Sequence, residues 1–360
     1  NRQFEYGGRN ALVTQDGIAP PDLGHPHHKP TSDGCGYTCG ADYSGIAAPG
    51  LPAVSVRFAA TFGSDRCYGD GLYGGVFVGA MYCEAFFTED LHCIVDAALR
   101  SIPERSLLAQ AVRDVVRWHR LYPDDWKHTW RLIMDKYWWN EENNWIAWPY
   151  GGVRKGINLD SKSMAAMSVM ALLYGGGDLH RTMHIAVQGS EDSDCNASIA
   201  AGVLLASRGM KAVDEELLAA LDRRRRFKYF ARTFDDMVAL TLDVARRVIP
   251  SFGGRIEELD GEEWIVVPVR GADLRRTEYQ SSKTPGPLTG ARYTAAELDH
   301  LELLTDPGFE NDDPAWSFFS DLKNNHILPV ERVGRIEGVA ENRARTGFCN
   351  ALLGTWFRSG

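Results

Sequence analysis

Apolar residues recur at helical spacing over much of the first 250 positions. From Leu72, the residues Val76, Phe77, Ala80, Met81 and Ala85 return every few positions, as one buried helix face requires. The same periodicity predicts helices at 91–101, 105–120, 124–138, 159–174, 178–188, 195–208, 214–226 and 231–249. The stretch Ser106 to Val112, continued by Val115, Val116 and Trp118, is amphipathic. The breaks fit this pattern. Asp90 and Asp124 are candidate N-caps, because a short carboxylate can accept from the N–H groups that a first turn leaves unpaired. Pro103 and Pro123 fall near helix starts or stops, and Gly175 suits a helix end.

Both ends of the chain lose this periodicity. Residues 1–50 are rich in Gly and Pro, and Pro20-Pro21, His25-Pro26 and Lys29-Pro30 predict an extended loop. The nearby His25, His27 and His28 are expected to be exposed. After Pro250, Asp260-Gly261 separates two short strand-like runs, which signals a hairpin. Residues 270–360 are polar with isolated apolar stretches. The expected organisation is therefore a Gly/Pro-rich segment at 1–50 feeding a binding loop, a helical domain at 51–250, and a β-hairpin with a polar appendage at 251–360.

Composition narrows the class. The 360 residues are 44% hydrophobic and 24% charged, as in soluble globular proteins. No apolar run is long enough for a membrane-spanning helix. A net charge of −9 argues against nucleic-acid binding. The run Arg223–Arg226 is expected in a last helical turn, where cations complement the dipole. The odd count of seven cysteines, irregularly spaced, points to a reducing, cytoplasmic setting. Cys83 and Cys93 lie in apolar helical stretches and are expected to be buried. Cys35 and Cys39 have CxxxC spacing, but no second pair lies nearby, which argues against structural zinc.

Candidate chemistry concentrates in polar, glycine-rich turns. Gly175–Asp178 lacks the Lys-Ser/Thr of a phosphate loop and predicts a helix stop, with Asp178 capping the next helix. The turns at 34–45 and 68–75 could let a ligand approach the backbone. The strongest signal is Gly189–Asn196. Asp192 and Asp194 sit at i and i+2, where a polar turn meets the small-residue helix start at Ala197. Capping accounts for one carboxylate; the pair is the kind of oxygen cluster that hard divalent cations need. Ala197, Ala200, Ala201 and Gly202 are expected to leave room beside this helix.

Several of these segments together resemble the ADP-ribosylglycohydrolases. Ala171–Asp178 is similar to the family's "YG-x-GD" helix end, and Glu191–Ala197 to its "DTDCN" motif, with Ser193 in place of the commoner Thr. Tyr68–Gly71 with Tyr73-Gly74, and Asp42–Gly45 with Ala48–Gly50, resemble bacterial members. The resemblance covers about residues 31–249. It implies an all-α, orthogonal multi-helix bundle and a two-metal Mg²⁺ or Mn²⁺ centre. It also implies hydrolysis of a glycosidic bond to ADP-ribose in a protein or small-molecule substrate. Asp192 and Asp194 would be metal ligands, with Cys195 at the position where a Thr often supplies an oxygen. Gly36, Gly40 and Asp42 would lie in the loop that cradles ribose and diphosphate. Tyr68, Gly69 and Asp70 would lie in another substrate-facing turn. The family's first metal motif, a Thr/Ser-Asp-Asp-Thr run, has no counterpart before residue 36. The expectation is that the chain is a fragment lacking that part. The general acid and base stay unassigned. A non-catalytic protein that kept the fold, or a hydrolase of another nucleoside or sugar linkage, is the alternative.

Overall fold

A computed structural model describes residues 17–29, 31–147, 153–154, 159–189, 192–227, 232–268, 279–297 and the short strands beyond 316. They fall into two compact units. The smaller comprises residues 1–19, 228–230 and 290–360. In it, Ile18 bridges Arg292 in antiparallel fashion, and Ser317–Ser320 pairs with Cys349–Leu352. The larger comprises Pro20–Phe227 and Ala231–Thr289.

The larger unit is a helical body. Its helices are α1 (Asp42–Ile46), α2 (Pro52–Gly63), α3 (Asp70–Ala85), α4 (Leu91–Leu99), α5 (Leu107–Leu121) and α6 (Trp126–Ile133). They continue with α7 (Ser161–Gly175), α8 (Leu179–Gln188), α9 (Ser193–Arg208), α10 (Glu215–Ala220) and α11 (Phe234–Ser251). The strands Ile146–Ala147 and Val153–Arg154 (β1, β2) pair antiparallel, as do Arg255–Leu259 and Glu262–Val266 (β3, β4). The second pair is the hairpin that Asp260-Gly261 predicts, with φ of 55° and 81° at its two turn residues. The fold is all-α with small antiparallel hairpins. Among the described residues no helix is long and apolar enough to cross a membrane.

Two interior helices organise the body. Every residue of α7 is buried, and α3 buries all but Glu84. Helices apolar on all sides belong inside, where neighbours cover every face. The helices α5, α6, α8 and α9 pack on α7, while α1, α2, α4 and α9 pack on α3. Glycines set the spacing on α3. A Cβ at Gly79 would collide with Ser44 Oγ, and one at Gly75 with the Tyr37 ring. The absence of side chains there lets the 3₁₀ turn Cys35–Gly40 and α1 lie directly on α3.

Helix ends follow local chemistry. Asp90, Asp160 and Asp178 cap α4, α7 and α8 by accepting N–H bonds from the first turn. The left-handed residue after α7 is Gly176, φ 62°, one position later than expected. The cap of α6 is Asp125 rather than Asp124, and α6 passes into a π turn at Met134–Trp138 instead of running as one helix over 124–138. Helix α2 arises in a region with no predicted helix; Pro52 at its start supplies a preset φ.

Other expectations are corrected. Helix α10 ends at Ala220, so Arg223–Arg226 does not form a last helical turn. Leu221 is extended, and the Asp222 carboxylate draws the Arg224 and Arg225 N–H groups into a turn. Cys93 is exposed, because its position faces outward on α4. His25 is buried: its Nδ1 accepts the His27 N–H, so Nε2 donates to the Gly286 carbonyl at 3.0 Å. Burial holds this imidazole below its usual pKa and keeps it neutral. The small-residue face of α9 leaves no open space at Gly202, where the Tyr82 hydroxyl of α3 fills the place of a Cβ.

Candidate functional site

The turn into α9 is locked from below by Asn196. Its Nδ2 donates to the Asp192 carbonyl at 3.0 Å, and its Oδ1 accepts the Ser168 hydroxyl of α7 at 2.8 Å. The Asn196 side chain is 1% exposed, so these buried bonds fix the turn against the core helix. Asp192 occupies the N-cap position of α9, yet its carboxylate makes no capping bond. The carboxylate instead meets Asp194, Cys195 and Cys35. The ordinary account of an acid at a helix start therefore does not explain Asp192.

Donor atoms of Asp192, Asp194 and Cys195 lie within 4.8 Å of one another. The Cys35 thiol donates to Asp192 Oδ2 at 3.4 Å, although the two residues are 157 positions apart. The Cys195 thiol lies in this group beside both carboxylates. The Asp192 carboxyl is held above the usual range, first by burial and then by its hydrogen bond to Asp194. Asp194 moves the opposite way, because Asp192 and the Cys195 N–H donate to it. The two carboxyls thus shift in opposite directions, as expected for two close carboxylates. Burial raises the thiols of Cys35, Cys39 and Cys195, keeping them protonated in the cation-free protein.

A cleft opens beside this group. It is lined by Cys35, Trp138, Leu159, Asp160, Met164, Asp192 and their neighbours, so apolar and aromatic side chains share the lining with two acidic residues. Behind Asp160 lies a second acidic group that periodicity does not reveal. Lys162, 1% exposed, faces Asp160 at 3.6 Å and Asp33 at 3.8 Å, with its ammonium 4.6 Å from the centre of the Trp145 ring. Asp70 completes it electrostatically. Asp70 Oδ1 accepts the Leu108 N–H at the start of α5, and Oδ2 accepts the Tyr279 hydroxyl. Ser282 donates to Asp33 and accepts the Trp145 indole N–H. Residues Tyr279–Thr289 come from a polar C-terminal stretch, yet here they close over a buried ion cluster. Burial pushes the Asp33 carboxyl up and raises Asp70 to about 7, with Lys162 opposing both shifts.

The expected site residues divide between these places. Asp192, Asp194 and Cys195 come together. Gly36 and Gly40, on the 3₁₀ turn, have open space where a Cβ would stand, so this backbone is accessible. Asp42 begins α1 and accepts the Tyr43 N–H; burial raises its carboxyl. Tyr68 is buried, and its hydroxyl accepts the Gly286 N–H. Gly69, φ 55°, backs onto the Gln280 carbonyl. Asp70 is 1% exposed and points into the ion cluster. Sequence reasoning missed Asp160 and Lys162. Their signal was an Asp-Ser-Lys start to a helix otherwise apolar on all faces.

The carboxylates fit a divalent cation. Asp192 and Asp194 bring oxygen donors close together, and Asp194 is exposed enough to admit a cation. Cys195 fits a hard cation poorly, because a thiol is a soft donor. Among the described residues, this is the group of side chains gathered as metal ligands would be. No curated protein and no solved structure matches the chain. The family model described as ADP-ribosylglycohydrolase matches residues 3–247. With that match over most of its length, and with the all-α body just described, the chain belongs to the ADP-ribosylglycohydrolase family.

Proposed function

We propose that the protein is a metal-dependent hydrolase that cleaves the glycosidic bond joining ADP-ribose to a protein or small-molecule acceptor. The observation that carries this is the non-capping Asp192 carboxylate, which lines a cleft and is gathered with Asp194 and Cys195. A divalent cation held there supplies positive charge that orients sugar hydroxyls and polarises water. The family expectation of Mg²⁺ or Mn²⁺ applies to the two carboxylates. The rest is done by the chain. Asn196 and Ser168 keep the turn rigid, so the carboxylates need no reorganisation when the ligand arrives. Gly36 and Gly40 offer open backbone to a diphosphate. Trp138, Met164 and Leu159 give an apolar wall that limits water beside the sugar.

The test is release of free ADP-ribose from ADP-ribosylated acceptors, followed by chromatography with each divalent cation in turn. Metal-dependent release that Asp192→Asn abolishes supports the reading. Tight ADP-ribose binding with no release under any cation replaces it with a non-catalytic binding protein.

A further inference from the structure

Helix α11 is fixed at both ends. Thr233 and Asp236 form a reciprocal capping box at its start, and Ala245 and Ile249 near its end are buried with Ala48, Leu51 and Val54. That inner stripe is the one apolar face that a surface helix needs. It does not account for the apolar residues beside it. Val238 and Leu242 are 41% and 47% exposed, and Asp235, Ala239 and Arg246 are exposed with them. These five stand at i, i+3, i+4, i+7 and i+11, so they share one side of the helix. An exposed apolar strip bounded by charges is the mark of a surface that meets another protein.

We propose that this side of α11 docks on the same side of α11 in a second copy of the chain, with the two helices antiparallel. The order of charges sets the occupant. Along the strip, an acid is followed by apolar and small residues and then by a base. Positions 235 and 246 are equidistant from the point between Leu240 and Thr241, and so are 239 and 242. A second copy centred there sets each Asp235 against the other copy's Arg246, and each Ala239 against the other copy's Leu242. A parallel copy would set acid against acid and base against base, which repels. The small Ala239 lets the helices approach, and Leu242 fills the space it leaves. One two-fold axis generates all of these contacts, so the patch closes on a dimer rather than growing into a filament. Within one chain, Asp235 pairs with Arg223 at 2.6 Å and Arg246 with Glu263 at 3.0 Å. All four side chains are half-exposed, so these pairs hold little energy and yield readily to a second partner. The proposal does not depend on the hydrolase reading, since none of the described residues lining the cleft belongs to α11.

The experiment is sedimentation equilibrium of the full chain over a series of concentrations at low salt, with circular dichroism to show that each variant is folded. The wild type should pass from monomer to dimer as its concentration rises. Leu242→Glu should raise the dissociation constant at least about tenfold, because symmetry places the substitution in the interface twice. Asp235→Arg and Arg246→Asp should each do the same when alone. An equimolar mixture of those two variants should dimerise as the wild type does, because each supplies the charges that the other lacks. Arg120→Glu, on the exposed side of α5, makes the same change in net charge as Arg246→Asp and should leave the dimer intact. A wild type that stays monomeric throughout, a dimer unweakened by Leu242→Glu, or charge variants that pair no better mixed than alone would each overturn the proposal. The wild-type series needs no variant to fold.

Discussion

The two acidic groups, around Asp192 and around Lys162, use the same residue types for opposite ends. Around Asp192 the carboxylates are half-exposed or exposed, in contact with the Cys35 thiol, and within reach of a cation from solvent. Around Lys162 the carboxylates are buried, tied to backbone N–H groups and hydroxyls, and neutralised by an ammonium that has no route to water. Both clusters join residues far apart in the chain, so both depend on packing. The difference is burial. A charge that can reach water can be spared for a ligand, while a charge that cannot must be paired internally or lose its charge.

Replacing the internal cation breaks this contrast most strongly. Lys162→Met strands Asp33 and Asp160 without a counter-charge and should cost about 3–5 kcal/mol, read as a lower urea midpoint. Asp192→Asn should stay within about 1 kcal/mol of wild-type stability and lower ADP-ribose release by at least about 100-fold. Equal stability losses in the two variants would erase the distinction.

The pH dependence of stability sharpens it. Burial raises Asp70 from 3.8 to about 7 in the folded chain. Between those values the folded protein holds a proton that the unfolded chain has lost. The stability contributed is complete below about pH 4 and is lost as pH rises through 7. Unfolding at pH 5 and pH 8 should differ by about 1–3 kcal/mol in favour of pH 5, and Asp70→Asn should flatten that slope. A pH-independent midpoint in the wild type would contradict the buried, raised carboxyl.

Smaller effects separate structure from chemistry within one turn. Asn196→Ala removes buried bonds to Asp192 and Ser168 and should cost about 1–3 kcal/mol, together with a loss of cation affinity. Asp178→Ala removes only the α8 cap and should cost about 1 kcal/mol, with cation affinity unchanged. Calorimetric titration beside thermal melts checks both.

Much of the helical body was legible. The apolar period placed α3 to α5 and α7 to α9, and capping carboxylates marked the starts of α4 and α8. The turn Asp192–Asn196 stood out because two acids at i and i+2 exceed what capping needs. Its neighbours did not. Asp33 and Lys162 were not singled out, and the Cys35–Cys39 pair looked incomplete. The extent of α10 was misjudged for a related reason: the arginines after it answer to Asp222 and Asp235, one in a turn and one on another helix.

The sequence by itself determined α3 to α5, α7 to α9 and the placing of Asp192 and Asp194 in one turn, because hydrophobic period, caps and turns are interactions among residues a few positions apart. Tertiary structure alone decided that the Cys35 thiol meets Asp192, and that Lys162 is enclosed by Asp33, Asp70 and Asp160. Those contacts require glycines on α3 to let backbones approach, and close packing to exclude water. Neither is a property of any single stretch of chain.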